Sequence, residues 1–298
     1  MSLSNTIASS TSLAEQPRHW SLRTRLSVRR QTVQIVGCQL LLAAVLLGVW
    51  QWATGSAALN SFLFGSPSAI WGRLVAMVRD GSVWSDTYVT GAETLAGFAL
   101  GNIVGTAVGL SLWYSRFISR VLQPFVLALG SIPMISIAPI VIIWFGTGFA
   151  SKVAMATLAV VVVSLTISYK GAMGVDPDQI NLMRSLGAAK SQIFRYLVVH
   201  SSLTDIFAGL KMTVGFALVG AIVGEFMSST DGLGHAIFKA GSLYIISKVF
   251  AELAVTIILS LILTAVVVKI ERILLPCVMT LEQLPKRLNR HLLRREPV

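Results

Sequence analysis

Charge is what this sequence has least of. Asp, Glu, Lys and Arg make up 12% of its 298 residues, about half the roughly 25% typical of a soluble globular chain. Acids are the scarcer sign, 13 against 24 Lys and Arg, and 54% of positions are hydrophobic, with a mean hydropathy of +0.75. That balance excludes an ordinary soluble domain and predicts an all-α polytopic membrane protein. With two cysteines, Cys38 and Cys277, there is no disulfide framework, and both read as ordinary thiols near helix ends. His19, His200, His235 and His291 show no metal-ligand spacing and sit near no cysteine pair, so no metal site is expected. No Ser, His and acid residues group as a nucleophilic triad. The nearest approach to a phosphate loop is GTGFASKV, Gly146 to Val153. It has Ser151 where Gly is required and Val153 where a hydroxyl is required. No catalytic residue emerges, and the chain is not expected to be an enzyme.

The net charge of +11 invites a nucleic-acid reading, but its placement argues otherwise. No basic-aromatic patch or nucleic-acid motif is present. Lys and Arg gather in the tails and between long apolar runs, at residues 33–53, 88–114, 121–145, 151–172, 206–228 and 250–275. Each run is long enough to cross a hydrocarbon core of about 30 Å as a helix. Six crossings put both termini on one side. That side then carries Arg18 to Arg30, Arg116, Arg120, Lys170, Arg184, Lys190, Arg195 and the basic residues from Lys269 onward. The opposite side carries Arg73, Arg79, Lys152, Lys239 and Lys248. Basic residues favour the cytoplasmic face, so both termini are expected there, in a multi-pass inner (plasma) membrane protein. Residues 1–32, rich in Ser, Thr and Arg, lack apolar periodicity and read as a disordered tail. Residues 33–275 form the membrane domain, and 276–298 a basic cytoplasmic tail. The first run is too long, and too far from the N-terminus, for a signal peptide.

Between the first two runs, SPSAIWGRLVAMVRDG reads as an external helix. Ser66 is its N-cap, Pro67 its first helical residue and Gly81 its terminator. Ile70, Leu74, Met77 and Val78 would share one face, turned to the outer leaflet or to the bundle.

Packing is also legible. Gly97, Gly101, Gly105 and Gly109 recur every fourth residue and stack on one helix face, where a second backbone can approach. Gly220 and Gly224 repeat the device. Pro124, Pro133 and Pro139 fall in the third run, which predicts a kinked helix. Pro133 and Pro139 are candidates for the pathway wall, as are Glu93 and Glu225, since ionisable groups at membrane depth are functional suspects. Glu225 precedes Ser228, Ser229, Thr230 and Asp231 and is expected to meet water. Lys211 is expected to snorkel to the cytoplasmic surface.

One long polar segment interrupts the apolar runs: residues 181–206, NLMRSLGAAKSQIFRYLVVHSSLTDI. It is amphipathic, with Gly187 at a break between two helical patterns. Aligned on Gly187, it resembles the cytoplasmic "EAA" loop of ABC-importer permeases. Asn181-Leu182-Met183 stands for the opening triplet and Leu197-Val198-Val199-His200 for the closing I-x-L-P, so the family's Glu and Pro are missing. The resemblance is closer to permeases of sulfonate, taurine and nitrate importers. Those show SLGAS-x-x-Q-IF, matched by Ser185, Leu186, Gly187, Ala188 and Ala189 with Gln192, Ile193 and Phe194. In order along the chain they also share Ser66-Pro67; Ala96-Gly97-Phe98 with Leu100-Gly101; Ile132-Pro133, Ala138-Pro139 and Trp144-Phe145-Gly146 with Gly148; and Gly224-Glu225 with Gly232-Leu233-Gly234. The family often has Arg where this chain has Glu93 and Pro where it has His200.

The resemblance implies a six-helix type I importer permease that forms the translocation pathway as a homodimer. An extracytoplasmic binding protein would deliver the ligand, and a separate cytoplasmic ATPase would bind ATP and Mg, leaving no cofactor in this chain. The loop would couple the two through Asn181, Arg184, Ser185, Leu186, Gly187, Ala188, Gln192, Ile193 and Phe194. Arg184, Leu186, Ile193 and Phe194 would present a basic and apolar knob to a groove on the ATPase. The implied substrate is a small organic anion such as an alkanesulfonate or taurine, or nitrate, with a pyrimidine or aromatic acid as the alternative. An ion-coupled secondary transporter would need matched broken helices in two repeated halves, and the halves of this chain do not match.

Overall fold

The computed structural model describes the backbone of residues 22–56 and 58–292, and side chains within 34–56 and 58–273. All elements among them are helices. The chain divides into two units, Met1–Leu59 and Asn60–Val298.

The first unit contributes α1, Leu22–Gly55. Residues 34–55 of it are apolar enough to cross a membrane. The helix begins ahead of the expected start at residue 33, so the second part of the anticipated disordered tail is helical; residues 1–21 lie outside the described residues. Cys38 is a free, exposed thiol; the side chain of Cys277 lies outside the described residues.

The second unit opens with a short helix α2 (Ser61–Phe64) and then α3 (Pro67–Asp80). Ser66 Oγ accepts the Ala69 N–H, Pro67 occupies the first turn, and Gly81 closes the helix at φ 80°. Ile70, Leu74 and Met77 pack into an apolar cluster with Val214, Leu218, Leu233, Val255 and Leu259. The helix therefore lies on the bundle. Val78 is not on the buried face; it is exposed, as is Trp71.

Along the chain come α4 (Ser82–Ser111), a 3₁₀ turn (Leu112–Tyr114), α5 (Arg116–Ser131) and α6 (Met134–Phe145). Next are α7 (Phe149–Met173), α8 (Pro177–Ser185), α9 (Lys190–Ile193) and a π turn (Phe194–Val198). Last are α10 (Val199–Ser228), α11 (Leu233–Ser242) and α12 (Ile246–Leu292). The final helix runs on past residue 275 into the expected tail.

At the centre, α7 is packed between α4 and α10. A Cβ on Gly101 would sit 2.7 Å from Val160 Cγ1, and one on Gly105 would sit 2.6 Å from the Val161 carbonyl. On the other side, a Cβ on Gly220 would lie 2.7 Å from Ala156 Cα. Ala156 is fully buried, with Gly97 against one face and Gly220 against the other. Hydroxyls and an amide stitch the same seams. Thr106 Oγ1 and Ser164 Oγ are 3.1 Å apart, and Thr213 Oγ1 donates to Asn102 Oδ1 at 3.2 Å. Close backbones and interhelical hydrogen bonds are what hold helices together in lipid, where burial of apolar surface offers little. On α12, Ala251, Val255, Leu259, Leu263 and Val267 form one buried stripe at intervals of four, with Leu261, Ile262 and other apolar residues left facing out.

Five helices among the described residues are long and apolar enough to cross a membrane, and the pair α5 and α6 makes a sixth crossing if taken as one span. That pair corrects the expectation of a kinked third helix. The chain turns by 96° between Ser131 and Met134. Ile132 takes extended backbone (φ −74°, ψ 126°), as the residue before a proline prefers, and Pro133 starts the next helix. Pro124 and Pro139 sit inside α5 and α6 without breaking them.

Candidate functional site

The 181–206 segment begins within α8. Asp176 caps that helix, its Oδ1 accepting the Asp178 N–H at 2.9 Å, and Pro177 fills the first turn. Gly187 ends it with φ 81°. The Ala188 N–H donates to the Met183 carbonyl at 3.0 Å and the Gly187 N–H to the Arg184 carbonyl at 2.9 Å. These two bonds form a Schellman closure, which needs a left-handed residue at the position Gly187 holds. Ala189 then opens α9, with Gln192 Oε1 reaching back to its N–H at 2.8 Å. Through the π turn the chain passes into α10 without a break, so residues 190–228 are one continuous helical rod. The rod runs straight through His200, whose Nδ1 lies 3.1 Å from the Arg195 carbonyl.

One face of this elbow is fastened to the bundle. Ile193 and Val198 are buried with Ala172 and Val175, and Met183, Ala188, Phe194 and Trp113 pack around them. Ile193 (2% exposed) therefore does not belong to the outward surface expected from the sequence. Phe194 is also turned inward: its ring lies 4.7 Å from that of Tyr114 and 5.7 Å from that of Trp113. What projects outward is Leu182, Leu186 and Tyr196, the last beside Arg195, together with Asn181, Arg184, Ser185, Gly187 and Gln192. Leu186 is 75% exposed at the tip. The elbow thus displays an exposed leucine pair flanked by a cation.

At the other end of α10 the structure brings Glu93 and Glu225 into direct side-chain contact. Glu225 is wholly enclosed, contrary to the expected contact with water. Its Oε1 accepts from Thr90 Oγ1 and its Oε2 from the Gly234 N–H, both at 2.6 Å. Thr90 Oγ1 in turn accepts the Leu233 N–H at 2.8 Å. Thr90 and Glu225 thus satisfy two of the free N–H groups that open α11. Gly232 (φ 101°) and Gly234 permit this, since a Cβ on either would run into the Glu225 carboxylate. Lys152, also buried, donates to the Ser228 carbonyl at 2.9 Å and to the Thr147 carbonyl. Pro133 and Pro139 are exposed, on a segment whose Ala138 and Val141 pack against Met155 and Val223. The four pathway candidates thus divide into a closed acidic pair and two exposed prolines.

Sequence reasoning missed the Glu93–Glu225 contact because the partners sit on different helices. It also missed the partner of Lys211, which does not simply snorkel: its Nζ is 2.7 Å from Glu271 Oε2 on α12. Among the described residues no His, Cys, Asp or Glu cluster suits a metal.

Residues 97–276 match the family described as binding-protein-dependent transport system inner membrane component. A probable ABC transporter permease protein of Haemophilus influenzae is 30% identical over 222 residues, which are 74% of this chain and 90% of that one. The riboflavin transport system permease protein RibX of Chloroflexus aurantiacus is 30% identical, covering 77% and 86%. The taurine transport system permease protein TauC of Escherichia coli is 25% identical, covering 86% and 93%. Among solved structures, an inward-facing form of the MetNI methionine ABC transporter superposes with a TM-score of 0.56 at 19% identity, covering 63% of this chain and 93% of that one. The likeness is one of fold, the type I importer arrangement of membrane helices. With more than half of its length matched and the polar elbow set on a bundle of membrane helices, the chain belongs to the family of inner-membrane permease components of binding-protein-dependent ABC transport systems.

Proposed function

We propose that this chain forms half of the translocation pathway of an ATP-driven importer and works as a homodimer. Its termini lie in the cytoplasm, and residues 181–206 couple it to a separate ATPase subunit. The observation that carries this reading is the elbow. Leu182 and Leu186 are exposed on it beside Arg184, while its inner face is fixed to the bundle and its far end is continuous with α10. A push on the tip is therefore delivered along a membrane-spanning rod. Closure of two ATPase subunits on ATP would draw two such tips together and rock the halves of the permease. A binding protein on the opposite face supplies the ligand. ATP and Mg belong to the ATPase, and hydrolysis is its work alone.

For the ligand, a small organic anion such as taurine or an alkanesulfonate, or nitrate, is favoured by the ordered motifs and by the likeness to TauC along most of both chains. A flat heteroaromatic ligand is the second reading, favoured by the likeness to RibX at higher identity.

The test is affinity capture of the chain from its own host's membranes, with ATP hydrolysis measured on the eluate. Wild type should bring down an ATPase, and Leu186→Asp should lose it. A wild-type preparation free of any ATPase subunit, or robust hydrolysis by this chain alone, overturns the reading.

A further inference from the structure

The elbow holds the bundle at a second place besides α10. Where α4 gives way to α5, Trp113 and Tyr114 lie edge to face with centroids 5.8 Å apart. Phe194 packs on both rings. Lys190, one turn earlier, donates its Nζ to the Tyr114 carbonyl at 2.6 Å and stands 5.8 Å from each ring centroid. Residues 190 and 194 share one helical face, so both side chains grip the same corner. The cation also meets the carbonyl-bearing end of α4 and its 3₁₀ turn, where positive charge is favoured. A π turn starts at Phe194, directly at the grip. Such turns are rare and recur at functional sites.

Beyond the corner, α5 is sparsely supported for its sixteen residues. Its one buried residue is Ser119, hydrogen-bonded to Tyr169 of α7, and Gly130 passes beside Val162 farther along. At its end comes the 96° turn into α6. A helix held mainly at its root, and jointed at its tip, turns when its root is turned.

We propose that Lys190 and Phe194 clasp the Trp113–Tyr114 corner so that movement of the coupling elbow is delivered directly to the α5–α6 broken span. The inference rests on the coupling role proposed above. Trp113, Tyr114, Lys190 and Phe194 are positioning residues: they touch neither ligand nor nucleotide. Tight aromatic contact between elbow and corner makes the two move as one body, while α5, little packed on the rest of its own chain, takes up the rotation.

The experiment uses the full complex with its ATPase and binding protein in lipid. Spin labels at Ser191 and Arg116, both exposed, report the distance from elbow to corner. In wild type this distance should be the same without nucleotide and with ATP, because elbow and corner travel together. In Trp113→Ala it should broaden and shift on ATP. That variant should still capture the ATPase, yet lose roughly three- to tenfold of the hydrolysis stimulated by the binding protein, the scale of an aromatic pair. Trp113→Phe should restore most of it. A purely structural role for the corner would instead lower ATPase capture and hydrolysis in parallel. An elbow–corner distance that changes on ATP in wild type overturns the clasp, as does full stimulation in Trp113→Ala. If wild type captures no ATPase at all, the coupling role itself falls and the clasp with it; capture with an unclasped corner removes the clasp alone.

Discussion

Gly187 allows the coupling reading to be tested through backbone conformation alone. Its φ is 81°, and beyond its chain neighbours no atom of the chain lies within 4 Å of where a Cβ would be. Space is therefore not the constraint. An L-residue held in the left-handed region costs on the order of 1–2 kcal/mol, and a β-branched one is the worst placed. Asn tolerates the region because its side chain can hydrogen-bond locally. A penalty of that size changes the population of the closed elbow by roughly 5- to 30-fold. The Ala188–Met183 and Gly187–Arg184 bonds open with it, and the Leu186 tip loses its fixed direction. In the complex of permease, ATPase and binding protein, stimulated hydrolysis should fall in the order Gly, Asn, Ala, Val, with permease insertion unaffected. Equal damage from Gly187→Asn and Gly187→Val would show that bulk at the interface matters and φ does not. Normal uptake and normal ATPase capture by Gly187→Val would refute the elbow as the coupling element.

Further expected outcomes concern the two ends and the middle of the bundle. Gly234→Ala sets a methyl against Glu225 Oε2, at 2.6 Å from an ideal Cβ, and should destabilise the solubilised protein by about 1–3 kcal/mol, the cost of a displaced overpacked group; unchanged thermal aggregation would count against the cap on α11. Gly105→Leu should abolish accumulation of folded protein, since the Val161 carbonyl occupies the place of its Cβ, whereas Leu261→Ile on the exposed side of α12 should accumulate normally. Asp80 accepts from Ser82 N at 2.9 Å and Ser82 Oγ at 2.7 Å, and these bonds hold its carboxylate below the usual range. The order they lend the α3–α4 corner is present at neutral pH and lost as acid protonates the group; amide exchange at Ser82 should rise only in that acidic window, and Asp80→Asn should raise it at neutral pH. Reporter fusions at residue 298 and within residues 81–86 should report opposite sides of the membrane; the same side for both overturns the orientation inferred from Lys and Arg.

Much of the fold was readable where the signal is local. Ser66, Pro67 and Gly81 bound α3 because capping chemistry involves neighbours in sequence. Five of the apolar runs became helices with shifted ends, which fray into adjoining polar turns without changing what crosses the bilayer. The third run misled because its three prolines look alike in sequence. Only Pro133 follows a residue that leaves helical backbone. Non-local partners were beyond reach. Nothing in the order of residues says that Glu93 meets Glu225, that Glu271 takes Lys211, or that Phe194 faces Trp113 instead of a partner subunit. The elbow was legible as an elbow from Gly187, but which of its apolar residues look outward depends on the surface it lies against. Ile193 and Leu186 are interchangeable to a reader of periodicity, yet the structure buries one and displays the other.

The glycine contacts along α7 also decide where a solute can travel. Where Gly97 and Gly220 close on Ala156 from both sides, not even a methyl group fits, and the same tightness continues at Gly101 and Gly105. A molecule the size of taurine has no route through the α4–α7 or α7–α10 seam at these glycines. Under the pathway role proposed above, these helices act as a solid beam, and the solute would run along its outer flank, over faces that one copy of the chain leaves bare.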